Sequence, residues 1–140
     1  MPAAIGATFG APGRTVCCFM GDGGFQMCIE ELGTIMEQKA PVKMIVMNNH
    51  YLGNVRQWQD MFWLRRKSFT KMMNPDYSQI AKGYSIPYEA VSDRQNLVAA
   101  VSRMLSTEGP YILECQIKEE DNVLPMTPPG MDVDKMMLEI

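Results

Sequence analysis

Short apolar runs of strand length alternate with stretches of helical periodicity along most of this chain, and this alternation restricts its fold more than any other feature. The strand-length runs cover residues 15–20, 42–47, 88–91 and 111–117. Helical patterns cover residues 3–11, 25–38 and 53–62. A fourth, capped by Asn74-Pro75, runs to residue 82, and a fifth opens with the capping box Ser92-x-x-Gln95. The alternation predicts an α/β fold with a parallel sheet flanked by helices.

The last two helical stretches carry more detailed signals. Gly83 follows the first of them, and we expect it in the C′ position with a left-handed backbone. Five apolar residues of the second recur at helical spacing and are expected to face the core: Leu97, Val98, Val101, Met104 and Leu105. The polar, basic residues up to position 73 are expected to form a loop, and the prolines in residues 122–130 favour an extended tail.

Composition limits the classes of function. A chain of 140 residues with 46% apolar and 21% charged residues suits one compact domain with a buried core. Its formal net charge of −3 gives no basic surface for nucleic acid, and no apolar run approaches the roughly 18 residues that a membrane span requires. The four cysteines lack zinc-site spacing and fit small buried residues in a reducing compartment, which indicates a cytoplasmic protein.

Polar residues follow two of the predicted strands, at the edge where parallel sheets bind ligands. Gly21-Asp22-Gly23-Gly24 follows the first predicted strand, and Asn48-Asn49 follows the second. Glycines let the backbone approach a ligand closely, and the N–H groups of a following helix attract phosphate. The carboxylate of Asp22 would repel a bare diphosphate unless a divalent cation lay between them. Mg²⁺ binds through such a carboxylate together with phosphate oxygens, and the amide of Asn49 adds a neutral oxygen.

The spacing of the two motifs supports a shared site. Asn49 lies 27 residues after Asp22, the length of one helix plus one strand, so the two strand ends should be neighbours. A dinucleotide-binding Rossmann turn is the alternative, because Gly21-x-Gly23 also begins that fingerprint. Gln26 stands where the fingerprint has its third small residue, and Asn48-Asn49 replaces the acid that binds a ribose. The metal-diphosphate interpretation is therefore favoured.

These motifs resemble the diphosphate-binding signature of thiamine-diphosphate enzymes. The neighbouring sequence is similar to the large, catalytic subunit of acetolactate synthase over essentially the whole chain. The segments that carry this resemblance are Gly24-Phe25-Gln26-Met27, Glu31-Leu32, Pro41-Val42-Lys43, Leu52-Gly53, Val55-Arg56-Gln57-Trp58-Gln59, Asn122-Val123-Leu124-Pro125-Met126 and Pro128-Pro129-Gly130.

The resemblance implies a ligand set for Mg²⁺ and thiamine diphosphate. Asp22 and Asn49 would bind the metal through their side chains, and Tyr51 through its main-chain carbonyl. The cofactor-binding residues would be Gly21, Asp22, Gly23, Gly24, Phe25, Met27, Asn49, Tyr51, Leu52, Gly53 and Asn54. Met27 has core packing as an equal alternative. No residue of this chain is implied as a principal acid or base.

Three further positions near this site carry expectations. Trp58 would lie on a helix at the mouth of the substrate channel, with packing on the sheet edge as the alternative. His50 is expected to face solvent. The family typically has Met at the position of Asn54, so the identity of the acceptor keto acid is left open.

The family's reaction joins two pyruvates, or pyruvate and 2-ketobutyrate, with loss of carbon dioxide, in branched-chain amino-acid biosynthesis. Residues 1–140 would be its C-terminal thiamine-diphosphate-binding domain, incomplete at the N-terminus and missing its first strand. A middle domain would carry FAD, and the pyrimidine-binding domain of a second subunit would complete the active site. The partners implied are 2-keto acids and a homo-oligomer, with a regulatory small subunit left open.

Three expectations follow for activity. The 140-residue chain alone should be inactive, because the pyrimidine-binding half of the site is absent. Another decarboxylase or carboligase of the superfamily, such as glyoxylate carboligase or oxalyl-CoA decarboxylase, is one alternative to acetolactate synthase. A truncated fold unit that dimerises without catalysis is the other.

Overall fold

The computed structural model describes residues 1–119 and 121–139. The helices and strands follow the chain in this order: α1 (Pro2–Gly10), β1 (Val16–Gly21), α2 (Asp22–Gln26), α3 (Glu31–Gln38), β2 (Val42–Asn48), α4 (Gly53–Phe62), α5 (Tyr77–Gly83), β3 (Tyr88–Val91), α6 (Arg94–Ser106) and β4 (Tyr111–Gln116). Within these residues, no helix combines the length and the apolar character needed to cross a membrane.

The strands form one parallel sheet in the order β1-β2-β4-β3. In the register of β1 and β2, Val16 pairs with Val42 and Gly21 pairs with Met47. The carboxyl ends of β1 and β2 therefore lie side by side at one edge of the sheet. The predicted α/β fold with a parallel sheet flanked by helices is confirmed.

Helices cover both faces of the sheet, and β2 is buried because it lies between them. Val42, Met44 and Val46 belong to a core cluster with residues of α1, α3 and α5, whereas Ile45 belongs to a second cluster with α6. This alternation follows from the period of two in a strand, where successive side chains point to opposite faces. Burial on both faces explains why β2 is an almost continuous apolar run.

The helix predicted over residues 25–38 is divided in the structure. α2 ends at Gln26, and the chain then makes turns in which Cys28 N–H donates to the Phe25 carbonyl and Glu31 N–H to the Cys28 carbonyl. α3 begins at Glu31. One long helix and two short helices joined by tight turns give similar apolar spacing, so periodicity did not separate them.

The caps of α5 and α6 also differ from the prediction. The carboxylates of Asp76 and Asp93, rather than Asn74 and Ser92, accept the first N–H groups of these helices. A carboxylate is a strong N-cap and gains from the positive end of the helix dipole. Asn74 lies outside α5 and has a different set of partners.

Only part of the predicted inner face of α6 is buried. Met104 is buried, but Leu97, Val98 and Leu105 are exposed, and their assignment to the core was wrong. α6 packs on β3 and β4, at one side of the sheet, so only a narrow stripe of the helix is covered. Cys17 on β1 is exposed as well, contrary to the expectation that the cysteines are buried.

Candidate cofactor and metal site

The carboxyl ends of β1 and β2 open into a cleft of about 340 Å³. Because α2 starts directly after β1, Asp22 lies at the first position of a helix, beside the loop that follows Asn48. The predicted cofactor residues that line this cleft are Gly21, Asp22, Gly23, Gly24, Asn49, Tyr51, Leu52, Gly53 and Asn54. The sheet thus brings together two segments that are separated in the sequence by a whole strand-helix unit.

Two predicted cofactor residues do not line the cleft. The side chain of Phe25 is fully buried in the core, where its ring meets that of Tyr77 edge-on at a centroid distance of 5.0 Å. Met27 follows the end of α2 and is 71% exposed. Of the alternatives for Met27, the structure therefore provides neither core packing nor contact with the cleft.

Trp58 lines a second, larger cleft of about 460 Å³. Asn54 and Val55 line both clefts, so the two are neighbours across the first turn of α4. The ring of Trp58 is half-buried and packs edge-on against Phe62, with the centroids 5.9 Å apart. This position agrees with a residue at the approach to the first cleft.

The glycines of the first motif have different structural roles. A Cβ on Gly23 would lie 2.8 Å from Leu52 Cδ2 and 3.2 Å from Met72 Sδ, so a side chain there would push these two side chains aside. A Cβ on Gly21 or Gly24 would meet nothing within 4 Å. Gly23 therefore permits close packing of the two segments, while Gly21 and Gly24 leave space for a ligand beside the backbone.

Asp22 is a buried carboxylate whose partners are neutral. It is 1% exposed, with its Oδ1 accepting the Gly23 N–H at 3.1 Å and its Oδ2 accepting Asn74 Nδ2 at 2.7 Å. Within the described part of the chain, no basic side chain forms an ion pair with it. Burial of an unpaired charge is costly, so a bound cation would stabilise this arrangement.

The loop after β2 offers further oxygen atoms. Asn49 Oδ1 accepts the Tyr51 N–H at 3.1 Å, and the loop is fixed by bonds from Leu52 N–H to the Thr70 carbonyl and from Met72 N–H to the His50 carbonyl. No main-chain N–H of residues 1–119 or 121–139 donates to the Tyr51 carbonyl. One carboxylate, one amide and one free carbonyl are hard ligands of the kind Mg²⁺ prefers.

The described residues contain no group of three or more His, Cys, Asp or Glu side chains suited to a metal. Such a cluster is unnecessary for Mg²⁺, which often binds through one or two carboxylates plus phosphate oxygens and waters. The residues at the cleft therefore fit a Mg²⁺ ion that is bound together with a diphosphate.

Asn74 is the main residue of this site that the sequence did not reveal. Besides Asp22, its Nδ2 lies 2.8 Å from Asn48 Oδ1 and 3.4 Å from His50 Nδ1, and its Oδ1 accepts Gln26 Nε2 at 2.7 Å. The bond to Asp22 joins residues 52 positions apart, and no motif links them. His50 is half-buried and close to Asn74 rather than freely solvent-facing.

A chain of buried polar groups continues from Asn48 across the sheet. Asn48 Nδ2 donates to Glu114 Oε1 at 2.7 Å, and the Tyr88 hydroxyl donates to the other oxygen of Glu114. Burial, followed by the hydrogen bond to Glu114, raises the pKa of Tyr88. Burial also raises the pKa of Tyr77 to about 12, so both tyrosines remain protonated donors near neutral pH. The ends of β1, β2 and β4 are thus joined by one hydrogen-bonded network.

Comparison with known proteins defines the class to which this fold and cleft belong. Residues 1–115 match the family described as thiamine pyrophosphate enzyme, C-terminal TPP binding domain, and the chain belongs to that family. A solved thiamine diphosphate-dependent 4-hydroxybenzoylformate decarboxylase from Rhodococcus jostii has a TM-score of 0.78 and 26% identity, covering 86% of this chain and 23% of that one.

Within this class, the chain is similar to acetolactate synthase large subunits. It is 39% identical over 138 residues to the isozyme 2 large subunit of Escherichia coli, which covers 98% of this chain and 25% of the relative. It is 40% identical over 139 residues to the large subunit of Pyropia yezoensis, covering 98% and 24%. The resemblance found in the sequence is confirmed, and the chain spans about a quarter of the length of these relatives.

Proposed function

We propose that this chain is the thiamine-diphosphate- and Mg²⁺-binding part of an acetolactate synthase. The complete enzyme would join two pyruvates, or pyruvate and 2-ketobutyrate, with loss of carbon dioxide, as a step of branched-chain amino-acid biosynthesis. The single observation that supports this most is the cleft at the ends of β1 and β2, which is lined by both segments of the diphosphate motif. The similarity to acetolactate synthase large subunits selects this reaction within the superfamily.

Asp22 and Asn49 would hold the metal through their side-chain oxygens, and Tyr51 through its carbonyl. The N–H groups at the start of α2 and the space beside Gly21 and Gly24 would accept the diphosphate. When bound, thiamine diphosphate supplies the carbanion chemistry that lets a 2-keto acid lose carbon dioxide and join a second one. The residues of this chain would bind and orient the cofactor, and none would act as a principal acid or base.

The substrate side of the site is assigned to α4. Trp58 would border the channel for the keto acids, because its cleft shares Asn54 and Val55 with the cofactor cleft. Asn54 is exposed at this shared wall, so its amide would contact the acceptor or leave more room for it than a Met would.

The remaining parts of the enzyme lie outside this chain. A pyrimidine-binding domain from a second subunit would complete the active site, and a further domain would carry FAD. Whether a regulatory small subunit also binds is left open. A cytoplasmic location also stays a prediction. Another decarboxylase or carboligase of the superfamily is the second candidate, supported by the structural similarity to a decarboxylase.

Acetolactate formation from pyruvate tests this proposal. With Mg²⁺, thiamine diphosphate and FAD, the complete enzyme should form acetolactate, whereas the 140-residue chain alone should not. The Asp22→Asn variant of the complete enzyme should lose at least about 100-fold in activity, because the substitution removes the ligand's charge. Asp132→Asn, at an exposed aspartate of the tail, is the matched control and should be fully active. Carbon dioxide release without acetolactate would favour the decarboxylase instead.

A further inference from the structure

The Asn74 amide is the junction of the hydrogen-bonded network at the ends of β1 and β2. It reaches the carboxylate of Asp22, the amide of Asn48 and the amide of Gln26, all at 2.7 or 2.8 Å. These three partners belong to two segments: α2 contributes Asp22 and Gln26, and β2 contributes Asn48. Asn74 itself precedes α5 and is half-buried. It therefore ties the segment before α5 to both strand ends that border the cleft.

Chemistry fixes the orientation of this amide. An ionised carboxylate only accepts hydrogen bonds, so the Asn74 nitrogen must face Asp22. The Asn74 oxygen then faces Gln26, which must present its own nitrogen to it, as the structure shows at 2.7 Å. Gln26 thus holds the amide of Asn74 in the one orientation that donates to Asp22.

We propose that Asn74 is a positioning residue for the metal site, and that it acts through Asp22. This inference rests on the proposed function, in which Asp22 binds Mg²⁺. By holding Oδ2 of the buried carboxylate, Asn74 fixes the plane of that group. The other oxygen, Oδ1, accepts the Gly23 N–H and keeps a lone pair that can bind the cation. Groups that hydrogen-bond to a metal-binding carboxylate commonly control metal affinity in this way.

Metal binding to the complete enzyme tests this role without a measurement of activity. Mn²⁺ replaces Mg²⁺ as the probe, and its dissociation constant is measured by electron paramagnetic resonance at saturating thiamine diphosphate. Asn74→Ala should weaken Mn²⁺ binding by about 10- to 100-fold. Asn96→Ala, at an exposed asparagine of α6, is the matched control and should leave the constant unchanged.

A second pair of variants separates positioning from a general loss of packing. Gln26→Ala removes the group that orients Asn74, and Gln26→Glu places a carboxylate against the Asn74 oxygen, which favours rotation of the amide by 180°. The rotated amide would present its oxygen to Asp22. Gln26→Glu should therefore weaken Mn²⁺ binding more than Gln26→Ala does. An added negative charge acting only through space would instead tighten cation binding.

The outcomes distinguish the two levels of the proposal. If the unaltered enzyme binds no Mn²⁺ in the presence of thiamine diphosphate, the proposed function itself is wrong. If that enzyme binds Mn²⁺ and Asn74→Ala binds it equally well, only the positioning role is overturned. Equal Mn²⁺ binding by Gln26→Ala and the unaltered enzyme would also overturn it, because the group that orients the Asn74 amide would then have no influence on Asp22.

Discussion

The end of α5 shows how single residues determine a local conformation. Gly83 was expected to adopt the left-handed conformation, but that expectation was wrong: Ser85 has a φ of 55°, whereas Gly83 is the last residue of the helix. Ile86 N–H donates to the Ala81 carbonyl and Ser85 N–H to the Lys82 carbonyl. These are the two bonds of a Schellman motif with Ser85 at C′. The C′ position therefore lies two residues further along the chain than the glycine suggested.

Two substitutions should both stabilise this helix end. Gly83→Ala should raise the free energy of unfolding by about 0.5 kcal/mol, because Gly is a poor helix former and the added Cβ meets nothing within 4 Å. Ser85→Gly should raise it by about 1 kcal/mol, because it removes the cost of a left-handed L-residue. Urea denaturation measures both changes.

The control for these variants is Ser106→Gly, at the last residue of α6, which is not among the left-handed positions. This change should lower the free energy of unfolding, since it adds the flexibility of glycine and removes the hydroxyl that donates to the Arg103 carbonyl. A marked loss of stability in Gly83→Ala would contradict the assignment and would place the left-handed residue at position 83.

At the scale of elements, α4 holds the C-terminal tail. Arg56 is 1% exposed and donates to the main-chain carbonyls of Glu119 and Asp121 and to Asn122 Oδ1. The next residue, Gln57, exchanges two hydrogen bonds with the main chain of Val123. α4 therefore lines the larger cleft with Trp58 and anchors the tail with the two preceding residues.

Replacing the buried arginine should release the tail. Arg56→Met keeps much of the apolar volume but removes the donors, leaving the two carbonyls without these partners. We expect a loss of about 2–3 kcal/mol in unfolding free energy, as for hydrogen bonds that involve a charged group. Trypsin should also cleave faster after Lys118. Arg94→Met, at an exposed arginine of α6, should change neither the free energy of unfolding nor the rate of cleavage after Lys118. Equal stability and equal cleavage in Arg56→Met would show that the tail is held by other contacts.

At the scale of the whole molecule, exposed apolar side chains follow the end of α4, where Trp63 lines the same cleft as Trp58. Phe62 and Trp63 are about half exposed, Leu64 is 80% exposed, and Phe69 in the following loop is 99% exposed. A large contiguous apolar surface is uncommon on a monomer and usually marks an interface. The segment that carries these four exposed residues is thus a candidate contact with another subunit or domain.

We expect the isolated chain to self-associate through these exposed apolar side chains. Light scattering should give a mass above that of the monomer, and Phe69→Ser combined with Leu64→Ser should lower it. Val133→Ser, at an exposed apolar residue of the tail, should have no effect. If residues 54–73 instead lose their structure in solution, trypsin should cut between Arg65 and Lys71. A monodisperse monomer that resists cleavage there would contradict both outcomes.

Several features followed from the sequence alone. Short apolar runs located all the strands of the described sheet, and helical periodicity predicted α4 with the bounds that the structure gives. The spacing of Asp22 and Asn49 placed both at the ends of adjacent strands, as the register of β1 and β2 shows. These inferences succeeded because a parallel crossover is a local unit, whose strands, helix and loops are consecutive in the chain.

Other features depended on packing between distant segments, and only the tertiary structure decided them. The predicted helix over residues 25–38 is divided after Gln26, and Leu97 on α6 is exposed. Both features depend on which surfaces the neighbouring elements cover. The bonds from Asn74 to Asp22 and from Arg56 to the tail join residues more than 50 positions apart. Residue spacing specifies a local conformation, but a hydrogen bond between remote side chains forms only where the folded sheet brings donor and acceptor within about 3 Å.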